Sequence, residues 1–303
     1  MITLLSTWTF GVTLAFVALV VFVSYRLFRF PDITTDGAFT LGAVAATRLI
    51  VSGHDPLVAT LAGAAAGAVA GACTGALHAA LGIEPLLSGI LVTTALASVS
   101  LVLLGRSNVP LAGAETILDR GSAWFLPATT ALGFGEAADE ASRLAAVLAA
   151  VAVAVLVLWL FFRTRLGTAM RAGGDTPTMA RALGRRTGLL TVAGLAIANA
   201  LTALSGALLA QVQGFADVQM GIGMVVWGMA SLFLGAALVG PVRLGGALVA
   251  TIAGSVAFRL LVASALRAGL HPDWLKAATA VVVLAALVVP GLFSRRPQAS
   301  AAR

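Results

Sequence analysis

Six arginines and one acid share a single polar run in the middle of this sequence, RTRLGTAMRAGGDTPTMARALGRR, from Arg163 to Arg186. Arg163, Arg165, Arg171, Arg181, Arg185 and Arg186 can pair with carboxylates or phosphates, and Asp175 is the only counter-charge among them. The run also carries a helix signal. Asp175 or Thr176 can cap, Pro177 suits the first helical position, TMARAL continues, and Gly184 stops the helix. Thr178, Met179, Ala182 and Leu183 fall at spacings of one, three and four, so they can form one stripe on such a helix. A helix of about seven residues is too short to hold alone and needs a partner surface. The plainer alternative is a basic loop that only sets membrane orientation.

A second group lies in FPDITTDGAFTLGA. Thr34, Thr35 and Asp36 are expected to cap a helix beginning near Gly37, with Gly42 allowing close packing. A helix broken inside a membrane frees backbone groups and a helix end to face a solute, so this segment is a candidate part of a translocation path. An ordinary capped loop would read the same way. Three more polar or aromatic residues fall inside apolar segments. Asn199 is near mid-span. Arg259 lies about 20 Å from one edge of its segment, able to meet a carboxylate or to reach outward to the headgroups. Trp227 can stack on a solute or simply pack.

Other chemistry is missing from the sequence. No G-x-x-x-x-G-K-[ST] loop exists, and the only lysine, Lys276, sits in DWLKAA, so any ATP is bound by another chain. The three histidines are scattered, with no cluster at metal-ligand spacing. Cys73 is the single cysteine, which excludes a disulfide within the chain.

The elements that position these groups are membrane spans. The chain has 303 residues, 60% hydrophobic and only 10% charged, far from the balance of a soluble domain. The fold expected is all-α, a polytopic helical bundle of about nine transmembrane helices (eight to ten), with residues 1–293 forming one domain and 294–303 a basic tail. The apolar segments are Trp8–Tyr25, Ala38–Val51, Leu57–Leu81, Leu86–Leu104, Leu144–Phe162, Thr191–Val212, Met224–Gly240, Gly246–Ser264 and Leu275–Val289. The weakest is 38–51, short and interrupted by Arg48. Gly63, Gly67, Gly71 and Gly75 recur every four residues, a stripe against which another helix can lie closely. The first span reads as a retained helix and not as a cleaved leader. Residues 105–143 form the longest segment outside the spans. Within it AWFLPATTALGF is suited to the interface, with Trp124 as anchor.

Orientation follows from the arginines. With 163–190 cytoplasmic, alternation places Arg26, Arg29, Arg243 and the tail arginines inside and the acid-rich 105–143 segment outside. The N-terminus is then outside and the C-terminus inside. The net charge of +7 belongs to span ends and anionic lipid, and gives no reason to expect a nucleic-acid partner.

The wording of the polar run resembles the permease subunits of ATP-binding-cassette importers, in the branch that includes branched-chain amino-acid permeases. Gly167, Arg171, Ala172, Asp175, Met179, Ala180, Leu183 and Gly184 match that family's pattern, while Arg185 stands where an apolar residue is usual. PDITTDGAFTLGA, GIEPLLSGIL and GRSNVPL look most like a branch associated with aromatic amino acids or related solutes. The glycines of Gly221–Ala250 resemble the family's second block. The resemblance implies a coupling helix seated on an ATPase subunit, contacted through Arg171, Asp175, Thr178, Met179, Ala182, Leu183 and Gly184. It also implies a second permease copy or a related chain, an extracytoplasmic solute-binding protein, a bacterial cytoplasmic-membrane location and alternating access without enzymatic activity of the subunit itself. It implies no bound cofactor. Two rivals are an ion-coupled secondary transporter, which needs a mid-membrane carboxylate, and a structural membrane subunit. Every Asp and Glu is expected near a span end, which counts against the first.

Overall fold

The computed structural model describes residues 2–27, 32–175, 187–240 and 244–269, with isolated positions between 274 and 284. The described residues are helical almost throughout. The chain runs through α1 (Ile2–Val21, closed by a π-helical turn at Phe22–Leu27), α2 (Thr34–Val51), α3 (Pro56–Leu81), α4 (Pro85–Leu104), α5 (Ile117–Ala131) and α6 (Ala138–Arg163). Then come α7 (Arg165–Asp175), α8 (Thr187–Gln213), α9 (Met224–Val239) and α10 (Leu244–Arg267). Among the described residues, six helices are long and apolar enough to cross a membrane, and Met224–Val239 is a shorter apolar helix.

The helix boundaries have local causes. Asp55 accepts hydrogen bonds from the amides of Leu57 and Val58, Pro56 occupies the first turn of α3, and Gly82 closes that helix at φ 68°. Pro85 opens α4 and Gly105 ends it at φ 73°. Thr116 and Asp119 form a reciprocal capping box for α5.

Glycine and alanine set how the bundle packs. The predicted stripe on α3 lies against α8, so close that a Cβ on Gly71 would stand 2.1 Å from the Leu195 carbonyl oxygen and one on Gly67 2.4 Å from that of Asn199. Helix α2 crosses α8 in the same manner, with Gly42 against the Ala203 carbonyl and Gly206 against that of Phe39. A second close pair is α9 with α10, through Gly235 and Gly254. Helix α1 lies between the two groups. There Ser205 Oγ donates to the Thr13 carbonyl at 3.1 Å and Ser255 Oγ to the Gly11 carbonyl at 2.8 Å. Such bonds satisfy hydroxyls that have no water to turn to.

Eight of the nine expected apolar segments fall on helices, whereas most of Leu275–Val289 lies outside the described residues. Several boundaries differ from expectation. Helix α6 starts at Ala138, so Asp139 and Glu140 belong to its first turn, where acids suit the helix dipole. The first half of the arginine-rich run is the amphipathic helix α7, not a loop, and Asp175 is helical within it where a cap was expected. Thr178, Met179, Ala182, Leu183 and Gly184 lie outside the described residues. One feature had no counterpart in the sequence reading. A two-stranded antiparallel ribbon joins β1 (Asn108–Pro110) to β2 (Phe215–Asp217), with Val109 opposite Ala216. The ribbon and α5 share one end of the bundle with the start of α1, and α7 packs on α6 and α8 at the other.

Candidate functional site: two helix starts joined inside the bundle

Helix α2 begins within the bundle, beside the middle of α8. Two residues before it, Asp32 is buried and its carboxylate accepts from the Thr34 amide at 2.9 Å and from Asn199 Nδ2 at 2.7 Å. The Thr34 and Thr74 hydroxyls meet at 2.7 Å, and Thr93 Oγ1 donates to the Ile33 carbonyl at 3.0 Å. Residues from α3, α4 and α8 thus hold the start of α2. Thr34, Thr74 and Asn199 have no exposed surface, yet Asn199 Oδ1 has no hydrogen-bond partner among the described residues. An unmet acceptor at such depth leaves room for a polar guest or for movement.

One turn further on, Asp36 reaches a second helix start. Its two carboxylate oxygens accept from the amides of Gly223 and Val225, both at 2.9 Å. Thr40 Oγ1 accepts from the Gly221 amide at 3.1 Å and donates to the Asp36 carbonyl at 3.2 Å. Gly223, at φ 90°, turns the chain into α9, and a Cβ on Gly221 would stand 2.0 Å from the Asp36 carbonyl oxygen. A carboxylate on one helix therefore caps the start of another, using the positive end of the α9 dipole.

This corrects two expectations. Thr34, Thr35 and Asp36 do not cap a helix near Gly37, because α2 already begins at Thr34 and Asp36 serves α9 instead. Nor are all carboxylates at span ends. Asp32 sits at the level of Asn199, twelve residues into α8, inside the bundle.

The other candidate residues separate into packing and periphery. Gly37 faces Leu96 and Thr93 of α4, and Gly42 faces α8, so both are close-approach positions. Trp227 meets the Phe258 ring edge-on at 4.7 Å in the core, with Nε1 unpartnered among the described residues. Arg259 is half-buried, its guanidinium 4.9 Å from the Phe10 ring and its Nε without an acceptor among the described residues. Its guanidinium lies over the aromatic face of Phe10. Arg171 is exposed on α7.

Sequence reasoning missed Asp32 and Thr74; Gln211 was legible as a polar group near the end of its span, but its partners were not. Gln211 bridges three elements, accepting from the Ile117 amide at 2.8 Å and donating to Thr60 Oγ1 at 2.8 Å. An Asp-x-Thr signal before a helix was available for Asp32. At the ribbon end, Arg120 joins Asp55 to Glu115, and the guanidinium holds the Asp55 carboxyl below the usual carboxylate range.

Comparison with known proteins places this geometry in a family. A tyrosine transport system permease protein of Clostridioides difficile (strain R20291) is 35% identical over 289 residues, covering 95% of this chain and 92% of that protein. An uncharacterized protein of Rickettsia prowazekii (strain Madrid E), RP368, is 32% identical over 219 residues, covering 71% and 70%. No solved structure matches. The family model described as branched-chain amino acid transport system / permease component matches residues 3–289, a range that takes in both helix starts and every helix described, and the chain belongs to that family.

Proposed function

We propose that this chain forms the solute path of an ATP-binding-cassette importer for an amino acid, with the joined starts of α2 and α9 as its moving seam. The observation that carries the reading is Asp36 capping a helix 187 residues further along the chain. Two helices that begin inside a membrane bundle, held to each other by a carboxylate and a hydroxyl, suit a path that opens and closes without unfolding a span. The protein is a multi-pass membrane protein of a transport-permease family, so the ATPase and the solute-binding protein are separate chains.

The finer assignments are ours. The solute is an aromatic or branched-chain amino acid, supported by the name of the Clostridioides relative and by the family description. The bundle crosses the membrane nine times with its N-terminus outside, supported by the arginine bias and by α7 and the ribbon lying at opposite ends. Two permease copies form the path. Helix α7 and the segment after it, with Met179 as the apolar knob, face the ATPase. Replacing Met179 with Asp puts an unpaired charge into that contact, at a cost of several kcal/mol if desolvated. The variant is expected to insert normally, to lose co-purification of the ATPase and to lose uptake. Wild-type ATPase yield together with continued uptake would remove the coupling role.

The burial of Asp32 favours one second reading, coupling to an ion gradient through that carboxylate. Uptake that persists without the ATPase and collapses with the proton gradient would establish it, and uptake that stops with the ATPase would exclude it.

A further inference from the structure

A cavity of about 320 Å³ opens at the ribbon end, between α1, α5, α6 and α8, away from the joined helix starts. Its size suits one small solute and no polymer. Its lining is divided. Phe10, Leu111, Leu118 and Val212 give an apolar wall, and Glu140 and Arg143 bring opposite charges from the same face of α6, three residues apart.

The charges are not used up by one another. Arg143 Nη2 donates to Asp119 Oδ1 at 3.1 Å, while the other oxygen of Asp119 is taken by the Thr116 amide and hydroxyl at 3.0 and 2.7 Å. Asp119 is thus shared between Arg143 and the α5 cap, whereas the remaining Arg143 donors have no acceptor among the described residues. Glu140 has no hydrogen-bond or ion-pair partner among them either, although half-buried at the cavity wall. A free carboxylate, a guanidinium with open donors and an apolar wall match the three parts of an apolar α-amino acid.

We propose that this cavity is an antechamber that binds a free zwitterionic amino acid, its carboxylate on Arg143, its ammonium on Glu140 and its side chain over Phe10 and Leu118. The identity of the guest class rests on the amino-acid reading above, but its position does not. The solute would pause here before reaching the seam between α2 and α9.

The test uses the full-length permease in nanodiscs, with L-tyrosine as probe and tyramine and 3-(4-hydroxyphenyl)propanoate as analogues lacking one charge each. L-tyrosine is expected to bind saturably, and each analogue about tenfold or more weakly. Glu140→Gln removes the preference for L-tyrosine over the propanoate and breaks no described contact. Ser6→Trp, at the cavity rim, abolishes binding while the protein stays monodisperse. Absence of saturable binding, or binding unchanged in both variants, overturns the antechamber, as does stronger competition by phosphoethanolamine than by unlabelled L-tyrosine, which would give the site to a lipid headgroup. ATP-driven uptake by the assembled transporter is measured alongside. Uptake without antechamber binding overturns this inference alone, and antechamber binding without ATP-driven uptake overturns the importer reading alone.

Discussion

Removing the Asp36 carboxylate isolates the contribution of the joined helix starts. In Asp36→Ala the amides of Gly223 and Val225 each lose an ionised acceptor at 2.9 Å. Hydrogen bonds to charged groups are worth about 1.5–3 kcal/mol each and a lost cap about 0.5–2 kcal/mol, so for a half-buried carboxylate the local loss is about 2–4 kcal/mol. At about 1.4 kcal/mol per tenfold, amide exchange at those two positions should accelerate roughly thirty- to several-hundred-fold. Asp36→Asn retains one acceptor oxygen and turns an NH2 toward the other amide, so its effect should be intermediate. The Gly221 amide is held by Thr40 Oγ1 and should change least. Hydrogen–deuterium exchange of a peptide spanning 218–227, with the β1 peptide as internal reference, reads all three. Exchange within about twofold of wild type in Asp36→Ala would refute the assignment of α9's stability to this carboxylate.

Two glycine substitutions should diverge. Gly71→Ala drives a Cβ to 2.1 Å from the Leu195 carbonyl and should cost about 1–3 kcal/mol, seen as a lower melting temperature and folded yield, whereas Gly173→Ala, with open space around it in α7, should be neutral or stabilising by about 0.5–1 kcal/mol. In a Cys73→Ser background, cysteine at Gly135 should react with an impermeant thiol reagent from outside intact cells and cysteine at Thr178 only after lysis. The reverse pattern would invert the orientation.

The spans were legible because apolar runs about as long as a bilayer is thick leave few alternatives. The α3 stripe was legible for a related reason, since a four-residue glycine spacing is useful only against another helix. The partner of a carboxylate was not. Asp36 looks like a cap for its own helix, and nothing local shows that Gly223 and Val225, almost two hundred residues away, take that bond instead. Asp32 and Asn199 meet across a separation of 167 residues for the same reason. Asp139 and Glu140 read as loop because acids mark helix starts and solvent-facing turns alike. The family's motif in the arginine-rich run was visible, while its second half lies beyond the described residues.

The glycine contacts carry a mechanical consequence. Where backbone touches backbone, as between α3 and α8, α2 and α8, or α9 and α10, no side-chain rotamers exist to absorb a small slide. Each of those contacts must stay whole or part outright, so α2, α3 and α8 behave as one stiff block and α9 with α10 as another. Relative displacement is then confined to the joint between the blocks. There, among the described residues, the amides of Gly223 and Val225 bond Asp36 and that of Gly221 bonds Thr40, a latch small enough to release and remake should the proposed seam move.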